Sequence, residues 1–329
     1  MFPLPKPLQN DSLPKTCSNT RATLPKSKLQ PLSEDWSVSA WSKAGVSTTI
    51  LVRNKAISQT ILLDCGGLGG VSPGLISQAD LVFISHAHAD HCGGLFAHAR
   101  SRFALPARAK YFVPRDSLED LLQAKQCFER LDGGHELKMD FVGVFPGFKC
   151  QLGNGLFVEC VSTEHRVPSV GYLLYRDVVS IKPEHLLLSH QEKAALGRKR
   201  ELNFTYRELQ LSYSGDTTAK GLDPRMFQAK LAIVECTFVD DKQAAQAVDT
   251  QHVLLSELTT VLNSDTVLGV NPNCQLLLVH FSARYTAKQI TQAVRLANWG
   301  GLVKPVALAL AGFAFDPLAK DQDVGISFA

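Results

Sequence analysis

The sequence predicts a layered α/β domain, on three observations. From Trp36 onward, short apolar or β-branched runs alternate with stretches of helical spacing. Four of those runs end in groups able to hold a metal or move a proton: His86 and its neighbours, His165, Asp216 and His280. The composition is 45% hydrophobic and 20% charged over 329 residues, that of a globular chain able to bury a sizeable core. A net charge of +3 does not argue for nucleic acid across the whole surface, so any basic face must be local. No apolar run approaches the ~18–20 residues a membrane span needs. The eight cysteines are scattered singly with no CxxC pair, which suits a reducing compartment and thiols buried as small apolar groups.

Residues 1–35 stand apart. They hold six of the sixteen prolines and five basic residues, with Asp11 the only acid before Glu34. Proline at that density opposes helix and strand. The segment is expected to be a disordered tail or, being basic and Ser-rich, an organellar transit peptide. Residues 36–329 are expected to form one catalytic domain without an internal repeat.

Within it, Ser37–Ser42, Thr48–Val52 and Thr60–Leu63 read as strands, and Asp64-Cys65-Gly66-Gly67 ends the third. Asp64 is either a turn former or a support for the loop that follows. Leu81–Ile84 is the next strand. Ala109–Val113 is a strand, and Asp116–Leu131 has helix spacing behind the cap candidates Asp116 and Ser117. Phe141–Val144, Phe148–Leu152 and Leu156–Val161 are short strands. Residues 176–210 interrupt the β pattern and carry the densest positive cluster of the domain, Lys193 with Arg198, Lys199 and Arg200. That cluster is either a solvated loop or a contact to a phosphate backbone. Leu209–Tyr213, Leu231–Val234 and Gln275–Val279 are strands, a helix is expected to carry His252, and another spans Ala287–Ala297. Val306–Phe315 reads as core or C-terminal packing.

The stretch that organises the chain is Ser85-His86-Ala87-His88-Ala89-Asp90-His91-Cys92-Gly93-Gly94. Three imidazoles and a carboxylate within six residues cannot share one face of a strand or helix. They converge if the strand ends and the chain turns through Ala87 and Ala89, with Gly93 and Gly94 letting the backbone turn away. Neutral imidazole and carboxylate suit Zn²⁺, and also Mn²⁺ or Fe²⁺. His165 supplies the third imidazole that a tetrahedral site with His86 and His88 requires, and Asp216 a carboxylate able to bridge two ions.

HxHxDH resembles the signature of the metallo-β-lactamase superfamily, which implies an αββα sandwich of two mixed sheets flanked by helices. Taken together, HAHADH, TEHRVPSVGY, SGDTT, VECTFVDD, His252 and VHFSARY occur in the order and spacing of the tRNase Z (ribonuclease Z, ElaC-like) family, over about residues 45 to 297. The chain looks closest to short plant-type members. The resemblance implies one metal held by His86, His88 and His165. It implies a second held by Asp90, His91 and His280, with Asp216 bridging, hence two Zn²⁺ per subunit. Glu235 and His252 match the family's Glu–His pair outside the metal shell, and Arg284 its HFSxRY arginine.

The chemistry agrees with those roles. Phosphodiester hydrolysis needs a strong nucleophile, charge stabilisation on the phosphoryl oxygens and a proton for the leaving oxygen. Asp90 is placed to orient the water or take its proton, and His252, oriented by Glu235, to act as general acid. The expected activity is zinc-dependent removal of 3′ trailers from precursor tRNA, leaving a tRNA 3′-hydroxyl. The expected partners are precursor tRNA and a second copy of the chain, with no membrane. The interval Tyr175–Leu211 is short and lacks the long Gly/Pro-rich arm of bacterial forms. Lys193, Arg198, Lys199 and Arg200 are the candidate RNA contacts in its place. Cytoplasm or nucleus is the expected location, or an organelle if residues 1–35 are a transit peptide. The alternative is a hydrolase of a small phosphodiester or another ester on the same fold. A non-catalytic RNA-binding protein would have lost metal ligands, and all seven are present.

Overall fold

The structure is a computed structural model, and it describes residues 30–32, 36–55, 58–153, 155–264, 270–300, 302, 306–311 and 326–328. One sheet has seven strands lying side by side in chain order: β1 (Gln30–Pro31), β2 (Trp36–Lys43), β3 (Ser47–Asn54), β4 (Gln59–Cys65), β5 (Leu81–Phe83), β6 (Ala109–Pro114) and β7 (Met139–Val144). The other has eight, again in chain order: β8 (Lys149–Gly153), β9 (Leu156–Ser162), β10 (Val170–Ile181), β11 (Asn203–Tyr213), β12 (Leu231–Glu235), β13 (Gln275–Val279), β14 (Ala307–Ala309) and β15 (Ile326–Phe328). Each sheet begins antiparallel and turns parallel, from β4 to β7 in the first and from β11 to β14 in the second.

The change of pairing explains the change of sequence pattern. Antiparallel β2 alternates large apolar and small polar residues over Trp36–Ser39, whereas parallel β5, β12 and β13 are buried along their whole length and read as mainly apolar runs. The inner faces pack against each other through Trp36, Phe83, Phe112, Tyr172 and Leu277. The outer face of the first sheet is covered by α1 (Pro73–Ile76), α2 (Ala89–Cys92), α3 (Leu95–Ser101) and α4 (Leu118–Leu131) through Leu51, Val82, Leu95, Tyr111 and Leu121. Helices α7 (Leu255–Leu262) and α8 (Ala287–Leu296) cover the second through Leu258, Leu278, Ile290 and Val294, and α6 (Ala244–Thr250) packs through Ala247 on Phe238 and Leu254. The result is the αββα sandwich. Among the described residues, no helix is long and apolar enough to cross a membrane.

Three expectations change. Gln30 and Pro31 pair with β2 and Leu32 is buried, so the fold starts inside the segment read as a tail; residues 1–29 and 33–35 lie outside the described residues. Residues 176–210 do not interrupt the β pattern. β10 and β11 continue as an antiparallel ribbon to Ile181 and Asn203, and α5 (His190–Arg198) crosses its tip. Beyond Tyr175 the ribbon is exposed or half-buried on both faces, so it has no apolar alternation to read. Asp116 and Ser117 form a short 3₁₀ turn before α4, and Ser117 makes no side-chain cap. Of Val306–Phe315, residues 306–311 are buried core and 312–315 lie outside the described residues.

Candidate metal centre

The chemistry gathers where strands of both sheets end. The carboxyl ends of β4, β5, β9, β11, β12 and β13 lead into Asp64, His86, His165, Asp216, Glu235 and His280 respectively. That edge is where layered α/β folds bind ligands. Helix α2 turns Asp90 and His91 back under His86 and His88. Gly66 permits this turn, because a Cβ there would lie 1.8 Å from the Asp90 carbonyl oxygen. Gly93 and Gly94 form the expected turn between α2 and α3, but with ordinary right-handed backbone. Gly94 is small because the loop rests against the Cys65 carbonyl, 2.9 Å from where its Cβ would be.

Four ligand-type imidazoles have their outer nitrogen occupied. His86 Nδ1 donates to Ser85 Oγ at 3.0 Å, and Ser85 Oγ donates to Asp64 at 2.7 Å. His91 Nδ1 donates to Asp64 at 2.6 Å. His165 Nδ1 donates to the Gln251 carbonyl at 3.3 Å. His280 Nδ1 donates to Thr237 Oγ1 at 2.9 Å, and Thr237 Oγ1 donates to Glu235 at 2.7 Å. The remaining nitrogens of these four rings turn inwards, towards one another and towards His88 Nδ1. His86 Nε2 and His88 Nδ1 are 2.9 Å apart, His165 Nε2 and His88 Nδ1 3.4 Å, and His91 Nε2 and His280 Nε2 3.2 Å. Asp216 Oδ2 lies 3.3 Å from His91 Nε2, 3.4 Å from His280 Nε2 and 3.8 Å from His86 Nε2. Asp90 Oδ2 lies 3.6 Å from both His91 Nε2 and His280 Nε2. Four of the five imidazoles are thus oriented from behind, and converging donors held in this way are how proteins fix a metal ion. The donor set therefore fits a divalent metal: His86–His88–His165, His86–His91–Asp216, Asp90–His91–His280 and Asp216–His252–His280 each converge closely enough to hold an ion, and the first and third of these are the groups expected from the sequence.

The two groups differ electrically. Burial pushes His86 down to about 2, helped by neighbouring His91, and burial also lowers His88 and His165. All three are then neutral, the form that ligates. Around His91, burial opposes the charge, but Asp216 and Asp64 overcome it and raise the pKa well above the ordinary value. Burial works to raise the Asp90 and Asp216 carboxyls, and the surrounding imidazoles hold both well below the carboxylate range. The second group thus pairs its carboxylates with a His91 that favours its proton, and a metal ion bound there would take that proton's place.

His252 is not on a helix. It sits between α6 and α7, after Gln251 in left-handed backbone (φ 54°). Its Nδ1 donates to Glu235 Oε1 at 2.9 Å, and its ring lies 5.2 Å from that of His165 and 5.3 Å from that of His280. Burial disfavours charge on His252, but Glu235 outweighs it and raises the pKa. Glu235 also accepts from the Thr217 and Thr237 backbone N–H groups, so its position is set from three sides. With Nδ1 committed to Glu235, His252 has its second nitrogen left to meet a substrate or an ion beside Asp216 and His280.

Sequence reasoning did not single out Ser85, Thr237, Tyr213 or the Gln251 carbonyl. Tyr213 donates to Asp64 at 2.5 Å and ties the second sheet to the first. Asp64 is fully buried and accepts from Ser85, His91 and Tyr213, so it supports the loop rather than merely forming a turn. A usable signal existed for two of these residues: Ser85 directly precedes the His-rich stretch, and Thr237 lies inside Glu-x-Thr-Phe. Arg284 donates to Ser282 and Gln243 and lies over the Phe238 ring at 5.3 Å, beside the His252 loop. The four candidate RNA contacts are not at the cluster. Lys193 and Arg198 are on α5, Lys199 and Arg200 follow it, and Lys193 donates to the Leu186 carbonyl at 2.8 Å.

Comparison with known proteins agrees with this geometry. Residues 60–281 match the beta-lactamase superfamily domain. The chain is 30% identical over 225 residues to tRNase Z TRZ1 of Arabidopsis thaliana, spanning 67% of this chain and 78% of that one. The chain belongs to the tRNase Z family. It is also 29% identical over 271 residues to the chloroplastic tRNase Z TRZ2 of the same plant, spanning 79% of this chain and 72% of that one. The metallo-beta-lactamase fold protein YhfI of Bacillus subtilis shares the fold, with a TM-score of 0.56 at 15% identity over 85% of this chain and 98% of its own. As a tRNase Z family member the chain is a metal-dependent endoribonuclease, and the clustered imidazoles and carboxylates are where its divalent metal belongs.

Proposed function

We propose that this tRNase Z family member removes 3′ trailers from precursor tRNA by zinc-dependent hydrolysis with two ions per subunit. The observation that carries the reading is the convergence of the imidazole and carboxylate donors beside His252, whose Nδ1 is held by Glu235 at 2.9 Å. His86, His88 and His165 would hold one ion, Asp90, His91 and His280 the other, with Asp216 shared. Bound there, the ions would clamp the phosphate and acidify a water molecule.

The residues supply the rest. Asp90, fixed by the Gly45 N–H at 2.8 Å, orients the water and takes its proton as the water oxygen bonds to phosphorus. The bond from phosphorus to the 3′-oxygen breaks with its electron pair on that oxygen, which takes the His252 proton. Glu235 keeps His252 protonated until then. The products are a tRNA 3′-hydroxyl and a trailer bearing a 5′-phosphate.

Lys193, Arg198, Lys199 and Arg200 at the ribbon tip would meet the tRNA backbone. β10 starts at the metal edge and runs twelve residues, placing the tip roughly 35–40 Å from it. We further propose a homodimer in the cytoplasm or nucleus, or in an organelle if residues 1–35 direct import. Elemental analysis should find two zinc ions per chain, and chelation should abolish cleavage that added Zn²⁺ restores. A single ion in fully active enzyme would refute the two-ion assignment.

A further inference from the structure

Two cavities meet at the Thr163–Ser169 loop that carries His165. The larger, about 400 Å³, is walled by Pro114, Phe145, Pro146, Arg166 and Pro168, with Asp116 as its one acidic residue. The smaller, about 210 Å³, is lined by Glu164, Lys220, Gln251, His252 and Glu257. Glu164 and Arg166, either side of His165, thus line different cavities. His165 lines the larger and His252 the smaller, with ring centroids 5.2 Å apart, so the two cavities open on either side of this pair of rings at the edge of the metal centre.

Resting on the nuclease reading, we infer that the larger cavity receives the first trailer nucleotide while the tRNA-side nucleoside lies at the smaller one. Three arguments fix this direction. The leaving 3′-oxygen must face its proton donor, and His252 lines only the smaller of the two cavities. Hydrolysis leaves the phosphate, with its added charge, on the trailer, which belongs beside Arg166 rather than between Glu164 and Glu257. A second cation stands at the same wall, since the Arg115 guanidinium lies 4.1 Å over the Phe145 ring. Finally, proline faces and a partly exposed Phe145 offer an apolar wall on which a base can stack, in a volume normal for a small-ligand pocket. Arg166 and Phe145 are then residues that bind the trailer end.

The test is direct binding of a fluorescent trinucleotide, with a 5′-phosphate or a 5′-hydroxyl, to zinc-loaded protein by anisotropy, with pre-tRNA turnover measured separately. The wild type should prefer the phosphorylated form. Arg166→Gln should weaken it about tenfold, the loss of one charged hydrogen bond, and Arg166→Lys should recover part of that. Phe145→Ala should weaken both forms alike, and Lys220→Gln should stay within about twofold. Unchanged affinity in Arg166→Gln, or the loss appearing in Lys220→Gln instead, overturns the assignment. Pre-tRNA left uncut by a wild type that still binds through Arg166 would overturn the nuclease reading alone.

Discussion

The metal centre and the ribbon tip are built on opposite terms. At the centre every group is held from more than one side: Asp64 accepts from three residues, Glu235 from Thr217, Thr237 and His252, and the strained backbone of Asp64 and His280 (φ 51° and 63°) is locked by burial. At the tip a single helix, closed by a Ser189–Glu192 capping box, carries its charges into solvent. The difference separates two tasks. Chemistry needs donors fixed to a fraction of an ångström, whereas gripping a polyanion needs only charge within reach.

The contrast can be broken from either end. The largest effect is expected at the ligands. Asp216→Asn, which weakens the group both ions would share, should release metal and take cleavage to background; retained metal with full turnover would remove the shared-ligand role. Next, His252→Ala should keep its metal and lose about 10²–10⁴-fold in turnover; loss of metal would make His252 a ligand instead. Asp64→Asn touches no substrate, yet it should cost about 10–100-fold in metal affinity by loosening His91, measurable by chelator competition. At the tip, neutralising Lys193, Arg198, Lys199 and Arg200 together should raise KM for pre-tRNA and flatten its salt dependence by up to about three log units per log of salt. Loss on a chromogenic phosphodiester should be smaller; equal loss on both substrates would end the exosite role.

The smallest effect concerns His98, a buried histidine outside the cluster. Burial pushes it down to about 4, and its nitrogens meet Tyr111 Oη and the Ile76 carbonyl rather than other imidazoles, so no cation is needed. The folded chain holds His98 neutral and the unfolded chain protonates near 6.5. Its contribution is therefore whole above pH 6.5 and lost as pH falls towards 4, at most roughly 3 kcal/mol. Denaturation of wild type and His98→Gln at pH 7 and pH 5 should show the gap between them narrowing at pH 5. A constant gap would mean His98 is not neutral in the fold.

The candidate metal donors were legible because the pattern is local: three histidines and an aspartate within six residues admit few other uses. The strand ends carrying His165, Asp216 and His280 were legible because buried parallel strands are plain apolar runs. Tyr213 and Asp64, 149 residues apart, meet only because the two sheets face each other, and no local pattern marks that. His252 reads as helical from its neighbours, but the left-handed turn at Gln251 takes it out between α6 and α7. The ribbon was missed because a strand solvated on both faces carries no period.

One gel tests the account most directly: zinc-loaded protein with a precursor tRNA bearing a 3′ trailer, beside His88→Ala. The account predicts a single cut just after the discriminator nucleotide, absent in the variant. An uncut precursor, with the same sample hydrolysing a chromogenic phosphodiester, would contradict it and point to a small-molecule hydrolase.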